Sequence, residues 1–307
     1  MQKKTGCRVL ILGGGRWGQI TFNNLNSLNS VSELKIISRT LDIKNSIIDC
    51  KNFKIKKNIN FKEIKKYNLI VICKNNISKF QFFKKIKHLK SIIVIEKPFI
   101  IKRNIKNFLY SFKKGKFFIS LPWFFERKLK KIFHYLIFSK KIDRVNFFWY
   151  DQVDKKYGLK KKFDKDIYYT EDIFPHIFSI LYEKTYKTNI INFSSFNIEN
   201  KIESLKFNFN TTKVDLKCSN KTYRSYKKIV FFKGKKKVFE IKISDKYFFI
   251  KDVIKKKNIK IKNKSDNLIK QYKYLINFEN LNEYKHTCYQ QILYQSHLNK
   301  LCKKFQP

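Results

Sequence analysis

The N-terminal part of the chain alternates short, unbroken apolar runs with segments of helical spacing. The runs are Arg8–Leu12 (RVLIL), Leu34–Ser38 (LKIIS), Asn68–Cys73 (NLIVIC) and Ser91–Phe99 (SIIVIEKPF). They are too continuous for strands with one wet face, so they read as parallel strands covered on both sides. Between them, Gln19–Leu28 and the series Ile77, Phe80, Phe83 repeat as helices do. Lys116–Phe124 (KFFISLPWF) reads as a last strand of this set.

Further on, the period changes. Leu129–Leu136 predicts a helix, VNFFWYD (Val145–Asp151) a strand, and HIFSILY after Pro175 a second helix. Leu205, Phe207 and Phe209 then alternate with polar residues, as do Val214, Leu216, Cys218 and Phe239, Ile241, Ile243. Period two with one polar face signals an antiparallel sheet. FFKGKKKVF around Gly234 predicts a hairpin turn, and Lys255–Ser265 an exposed hairpin or a mobile excursion. Tyr284, Cys288 and Ile292, four apart, return to a helix. The pattern divides the chain into residues 1–121, a doubly wound α/β domain on a parallel sheet, and 122–307, an α+β domain on an open, mostly antiparallel sheet. The last helix, about 281–303, is expected to pack back towards the first domain.

Composition alters this picture less than its charge suggests. The 307 residues carry 69 Lys plus Arg against 23 Asp plus Glu, a net charge of +46. A nucleic-acid binder is the obvious reading. Yet the chain contains no alanine, few glycines and prolines, and abundant Lys, Asn, Ile, Phe and Tyr spread along its full length. That is the mark of an AT-rich genome, so no specific nucleic-acid partner is expected. Six scattered cysteines form no C-x-x-C pair, which argues against a metal site and for reduced, buried thiols. No stretch resembles a signal peptide or a membrane span, and a soluble, cytoplasmic protein is expected.

Against this drift, glycine is conspicuous where it persists. Four of the 8 glycines fall at Gly13, Gly14, Gly15 and Gly18, in LILGGGRWGQI. The stretch fits G-x-G-x-x-G between a strand and a helix, the setting of a dinucleotide-binding turn in a Rossmann domain. Gly13 permits the tight turn, Gly15 lets the backbone approach a pyrophosphate, and Gly18 lets helix and strand pack. Arg16 and Trp17 complete the turn at the helix N-terminus, where free N–H groups favour phosphate. After the second strand stand Ser38, Arg39 and Thr40 in place of an acidic residue. A hydroxyl and a guanidinium suit a 2′-phosphate, so NADP(H) is expected ahead of NAD(H).

Two more motifs follow in order: Glu96-Lys97-Pro98-Phe99 after a strand, and Asp172 and His176 within EDIFPH at the start of a helix. With the glycine turn and the later antiparallel sheet, they resemble the Gfo/Idh/MocA oxidoreductases (glucose–fructose oxidoreductase, inositol dehydrogenase) over nearly the whole chain. The resemblance implies a dinucleotide domain joined to an α+β domain, an active site between them, and an open sheet that often makes a homo-oligomer. It implies that Lys97, Asp172 and His176 are catalytic and that Glu96, Pro98 and Asn76 lie at the cofactor. The chemistry agrees: an amine can bond a reacting hydroxyl, and an imidazole can move its proton.

The expected activity is hydride transfer between NAD(P) and a small polar substrate, a sugar or nucleotide sugar by default. Two alternatives remain open: an imine or thiazoline reductase of a biosynthetic pathway on the same fold, and a non-catalytic ligand-sensing or nucleic-acid-binding relic. The chain also departs from the family. After the NLIVIC strand it reads Lys74-Asn75-Asn76, with Ser78 or Lys79 near a customary histidine, and Ile173, Phe174 and Pro175 replace small residues in the D-x-x-x-H segment. Trp123 is expected to wall the pocket or to join the core.

Overall fold

The computed structural model describes residues 6–38, 55–56, 60–74, 83–99, 105–152, 167–182, 190–222, 224–244, 246–262, 266–277 and 281–304. These form two compact units. The first contains Met1–Pro122 and Asp266–Ile292; the second contains Trp123–Lys155, Lys162–Ser265 and Leu293–Pro307.

The first unit is built on a parallel sheet of six strands, β1 (Cys7–Leu12), β2 (Val31–Ile37), β3 (Ile55–Lys56), β4 (Leu69–Ile72), β5 (Ile92–Ile95) and β6 (Phe117–Ile119), in the order β3-β2-β1-β4-β5-β6. That is the dinucleotide-domain order, whose reversal between β1 and β4 opens a crevice at the strands' carboxyl ends. The unbroken apolar runs have their expected cause: every residue of β4 and β5 is buried. Three differences from the sequence pattern have simple reasons. β3 has two residues and no apolar run to signal it. The strand expected over Lys116–Phe124 ends at Ile119, because Pro122 starts a 3₁₀ turn over Pro122–Phe125. The first helix starts at Arg16, directly on the glycines.

Two C-terminal helices complete this unit, Asn267–Ile276 and the first part of Leu281–Lys303. The fully buried Tyr284 anchors them to β6: its hydroxyl donates to the Ile119 carbonyl (2.5 Å) and accepts from the Leu121 N–H (3.1 Å). Gln271 Nε2 donates to Ser120 Oγ (3.2 Å). Burial pushes the Tyr284 phenol well above its ordinary pKa, which keeps this donor protonated.

The second unit holds an eight-stranded sheet in the order β14-β13-β12-β11-β7-β10-β9-β8. The strands are β7 (Arg144–Gln152), β8 (Ile191–Glu199), β9 (Ile202–Phe209), β10 (Thr212–Thr222), β11 (Tyr226–Lys233), β12 (Lys236–Ile243), β13 (Tyr247–Asp252) and β14 (Lys257–Lys262). All neighbours are antiparallel except β7 and β10. The period-two residues behave as expected: Leu205, Phe207, Val214, Leu216, Cys218 and Ile241 are buried in one core. Gly234, at a positive φ of 59°, turns β11 into β12, and Lys257–Lys262 is the outer strand of an exposed hairpin.

Helices Arg127–His134 and Tyr169–Leu181 belong to this unit. The latter differs from the helix expected after Pro175: it begins at Tyr169 and contains Pro175. Its start is fixed by acids. Glu171 Oε2 accepts the Tyr168 N–H (2.8 Å), while the Glu203 carboxylate accepts the N–H groups of Tyr169 (2.9 Å) and Thr170 (2.6 Å). Three of the donors freed at a helix N-terminus are thus satisfied, and negative charge lies where the helix dipole favours it.

His134, on the shorter helix, is buried and stacks on Phe138 (ring centres 5.7 Å apart). Burial, and secondly the nearby Lys130 ammonium, push its imidazole down to about 4. An unfolded histidine titrates near ~6.5, so between these values the unfolded chain binds the extra proton. Stability is therefore whole above about pH 6.5 and falls as the pH drops towards 4, by up to about 3 kcal/mol. His134→Phe should flatten the fall in Tm between about pH 7 and about pH 4.5. An unchanged slope in the variant would remove His134 as its cause.

Cys7, Cys218, Cys288 and Cys302 are buried thiols outside any disulfide, and burial raises their pKa values, Cys7 to about 11 and Cys288 to about 12. Cys50 lies outside the described residues. No helix among the described residues is long and apolar enough to cross a membrane.

Candidate active site

In the first unit, the motif residues gather at the carboxyl ends of neighbouring strands. The Gly13 N–H donates to the Ile37 carbonyl of β2 (2.9 Å), and the Cys73 N–H donates to the Leu12 carbonyl of β1 (2.8 Å). The turn is therefore pinned on both sides of β1. Gly13 has φ +118°, and a Cβ there would lie 2.6 Å from the Cys73 carbonyl oxygen, so neither conformation nor space admits a side chain. A Cβ on Gly18 would lie 1.8 Å from the Gly13 carbonyl oxygen. Gly15 is different: it caps the helix at φ −68°, and a Cβ there would meet nothing within 4 Å.

The space over Gly15 and the character of the helix end suit a pyrophosphate. The first turn, Arg16-Trp17-Gly18-Gln19, carries no acidic residue; the Gln19 N–H makes the first intrahelical bond, to the Gly15 carbonyl (3.1 Å), and the helix start presents the positive end of its dipole. Gln19 Nε2 donates to the Gly14 carbonyl (2.9 Å), which gives that acceptor a partner within the turn. These residues fit a dinucleotide.

Ser38 follows β2 and is buried. Glu96 and Lys97 follow β5, where the Glu96 N–H donates to the Ile72 carbonyl of β4 (3.0 Å). Lys97 is 6% exposed, and its peptide bond to Pro98 is cis. The Lys97 ammonium stands 5.7 Å from the centre of the Trp17 ring, with the Arg16 guanidinium at 5.5 Å, both within cation–π range. Trp17 is 37% exposed. The structure thus brings Lys97 to the glycine turn through Trp17. Arg39, Thr40 and Asn76 lie outside the described residues.

In the second unit, Asp172 and His176 lie on one face of the Tyr169–Leu181 helix, four residues apart. His176 is 8% exposed and stacks on Trp149 of β7, ring centres 5.4 Å apart and planes within 15°. Trp123 stands edge-on to both rings, 5.4 Å from Trp149 and 6.3 Å from His176. It therefore lines the surroundings of the histidine and also packs against the core. The Lys227 ammonium lies 4.6 Å from the Trp149 ring.

Sequence reasoning missed the partners that hold this helix face. Tyr169, three residues before Asp172, donates its hydroxyl to Asp151 of β7. Burial and the Asp151 carboxylate raise the Tyr169 phenol far above its ordinary pKa, so it remains a donor. Residues 169, 172 and 176 on the helix thus run beside 149 and 151 on the strand. Two signals were present: the helical spacing from Tyr169 to His176, and the alternation of Phe147, Trp149 and Asp151 along β7.

No family model and no curated protein matches the sequence. Solved structures match the fold. A dehydrogenase (MviM) from Clostridium difficile gives a TM-score of 0.67 over 96% of this chain and 99% of its own, at 9% identity. KijD10, a 3-ketoreductase from Actinomadura kijaniata, solved as a variant with TDP-benzene and NADP, gives 0.72 over 97% and 98%, at 7% identity. The UDP-N-acetylglucosamine 3-dehydrogenase GnnA from Acidithiobacillus ferrooxidans gives 0.65 over 96% and 97%, at 10% identity. Strand order, the glycine turn and the mostly antiparallel second sheet agree with this likeness: the chain has the two-domain fold of the Gfo/Idh/MocA-type dehydrogenases.

Proposed function

We propose that the protein is an oxidoreductase that binds a nicotinamide dinucleotide, NADP(H) ahead of NAD(H), and acts on a small polar substrate. A sugar or nucleotide sugar bearing an alcohol or carbonyl is the substrate class. The observation that carries this reading is the division of labour among the glycines. Gly13 and Gly18 are required by the turn itself, whereas Gly15 leaves room over a helix N-terminus for something outside the chain.

Gly13, Gly15, Arg16, Trp17 and Gly18 hold the pyrophosphate end, and Ser38, Arg39 and Thr40 the ribose with its 2′-phosphate. Asn76, Glu96 and Pro98 line the nicotinamide end. The nicotinamide supplies or accepts the hydride. Lys97 bonds the reacting oxygen, His176 takes or returns its proton, and Asp172 accepts a substrate hydroxyl. The stacking of His176 on Trp149 limits the ring's rotation, which suits a group that must present one nitrogen to a proton.

The 2′-phosphate assignment is tested by Arg39→Ala. Losing the guanidinium should weaken NADPH binding at least about tenfold and leave NADH nearly unchanged. Equal weakening of both cofactors would refute the assignment. For self-association, the face of the second sheet opposite its core offers Phe148, Tyr150, Tyr226 and Phe249 among lysines, half-buried or exposed. A homo-oligomer through this face is part of the reading.

A further inference from the structure

Pro175 lies inside the helix that carries Asp172 and His176. It has no N–H, so the carbonyl four residues earlier, that of Glu171, loses its helical donor. The break falls between the two residues whose common face the site requires. A proline there ordinarily kinks or ends a helix, yet this one runs from Tyr169 to Leu181.

The replacement donor comes from far along the chain. Gln295, buried on the last helix, directs Nε2 at the Glu171 carbonyl (3.3 Å). One turn further on, the Asn299 side-chain amide lies 2.6 Å from Glu171 Oε1; with its nitrogen assigned to that side, as the carboxylate acceptor requires, it donates there. Glu171 Oε2 meanwhile takes the Tyr168 N–H (2.8 Å), so both ends of this residue are held. On the far side of the gap, Ser179 Oγ donates to the Pro175 carbonyl (2.6 Å).

We infer that Gln295 is a positioning residue whose side-chain amide replaces the hydrogen bond removed by Pro175 and so keeps Asp172 and His176 in register on one helix face. Its importance for turnover rests on the function proposed above; its action on the helix does not. Proline has no amide to offer this carbonyl, and a buried carbonyl that loses its donor is costly, so the Gln295 amide takes the place of the missing backbone bond.

The inference makes an unusual demand: removing the proline should relieve the need for the glutamine. Alanine at 175 restores an N–H that can take the Glu171 carbonyl. The test compares Gln295→Leu, Pro175→Ala and the double variant by thermal unfolding and by the NMR signal of the His176 ring, with neither cofactor nor substrate present. Gln295→Leu should lower Tm by about 3 °C and displace the His176 signal, while the same change on Pro175→Ala should cost under about 1 °C and leave the signal near its wild-type position. If Gln295→Leu yields no soluble protein, recovery of soluble protein in the double variant is the corresponding rescue. A double variant as damaged as Gln295→Leu alone, in Tm, signal or solubility, overturns the inference. Because no cofactor is used, that failure is separate from a failure to bind NADPH, which would strike the proposed function instead.

Discussion

Lys97→Met should lower turnover about a thousandfold on any sugar nucleotide that the wild type oxidises, while NADPH binds within about twofold of its wild-type affinity. Methionine nearly matches the volume of the lysine stem, and the residue is 6% exposed, so the fold should accept the change. What disappears is the ammonium beside Trp17 at the carboxyl end of β5. The proposed role of that ammonium is to bond the oxygen whose charge changes during hydride transfer, an interaction stronger in the transition state than in the bound ground state. The loss should therefore fall on kcat rather than on cofactor binding. Unchanged turnover would take Lys97 out of the mechanism, and a matching loss of NADPH affinity would make it a cofactor contact instead.

The second large effect is expected at Gly15. Valine there should leave Tm close to the wild-type value, because the backbone is at φ −68° and a Cβ at this position meets nothing within 4 Å. The same side chain would occupy the space over the helix N-terminus and hold a pyrophosphate away from the N–H groups, raising the Kd for NADPH by about a hundredfold or more. Gly13 and Gly18 could not serve for this test. A side chain at either collides with backbone atoms, so folding and binding would fail together. A Gly15→Val protein that is stable yet binds NADPH normally would mean that the turn has no ligand.

Much of the first unit is legible in the sequence because its strands are buried on both faces and leave unbroken apolar runs. NLIVIC and SIIVIEKPF mark β4 and β5 for this reason, and the glycines mark the turn because few others occur. The second sheet is legible by its alternation, as in β9 and β10. Illegible features depend on partners distant in the chain. The helix at Tyr169 is started by Glu203, 33 and 34 residues beyond the amides it accepts, and is carried across Pro175 by Gln295, 124 residues beyond Glu171. Read locally, a proline suggests a helix start, and that is how Pro175 misleads. His176 could be read as a candidate acid–base group, but its stacking on Trp149 depends on a strand ending well before it.

The central claim is that the amides following β1 grip a nucleotide diphosphate. Its most direct test is a titration of the wild type and of Gly15→Val with NADPH, followed by calorimetry. Saturable one-to-one binding by the wild type and its loss in an equally stable Gly15→Val protein is the predicted result. No saturable binding by the wild type, or equal affinity in both proteins, would contradict the account.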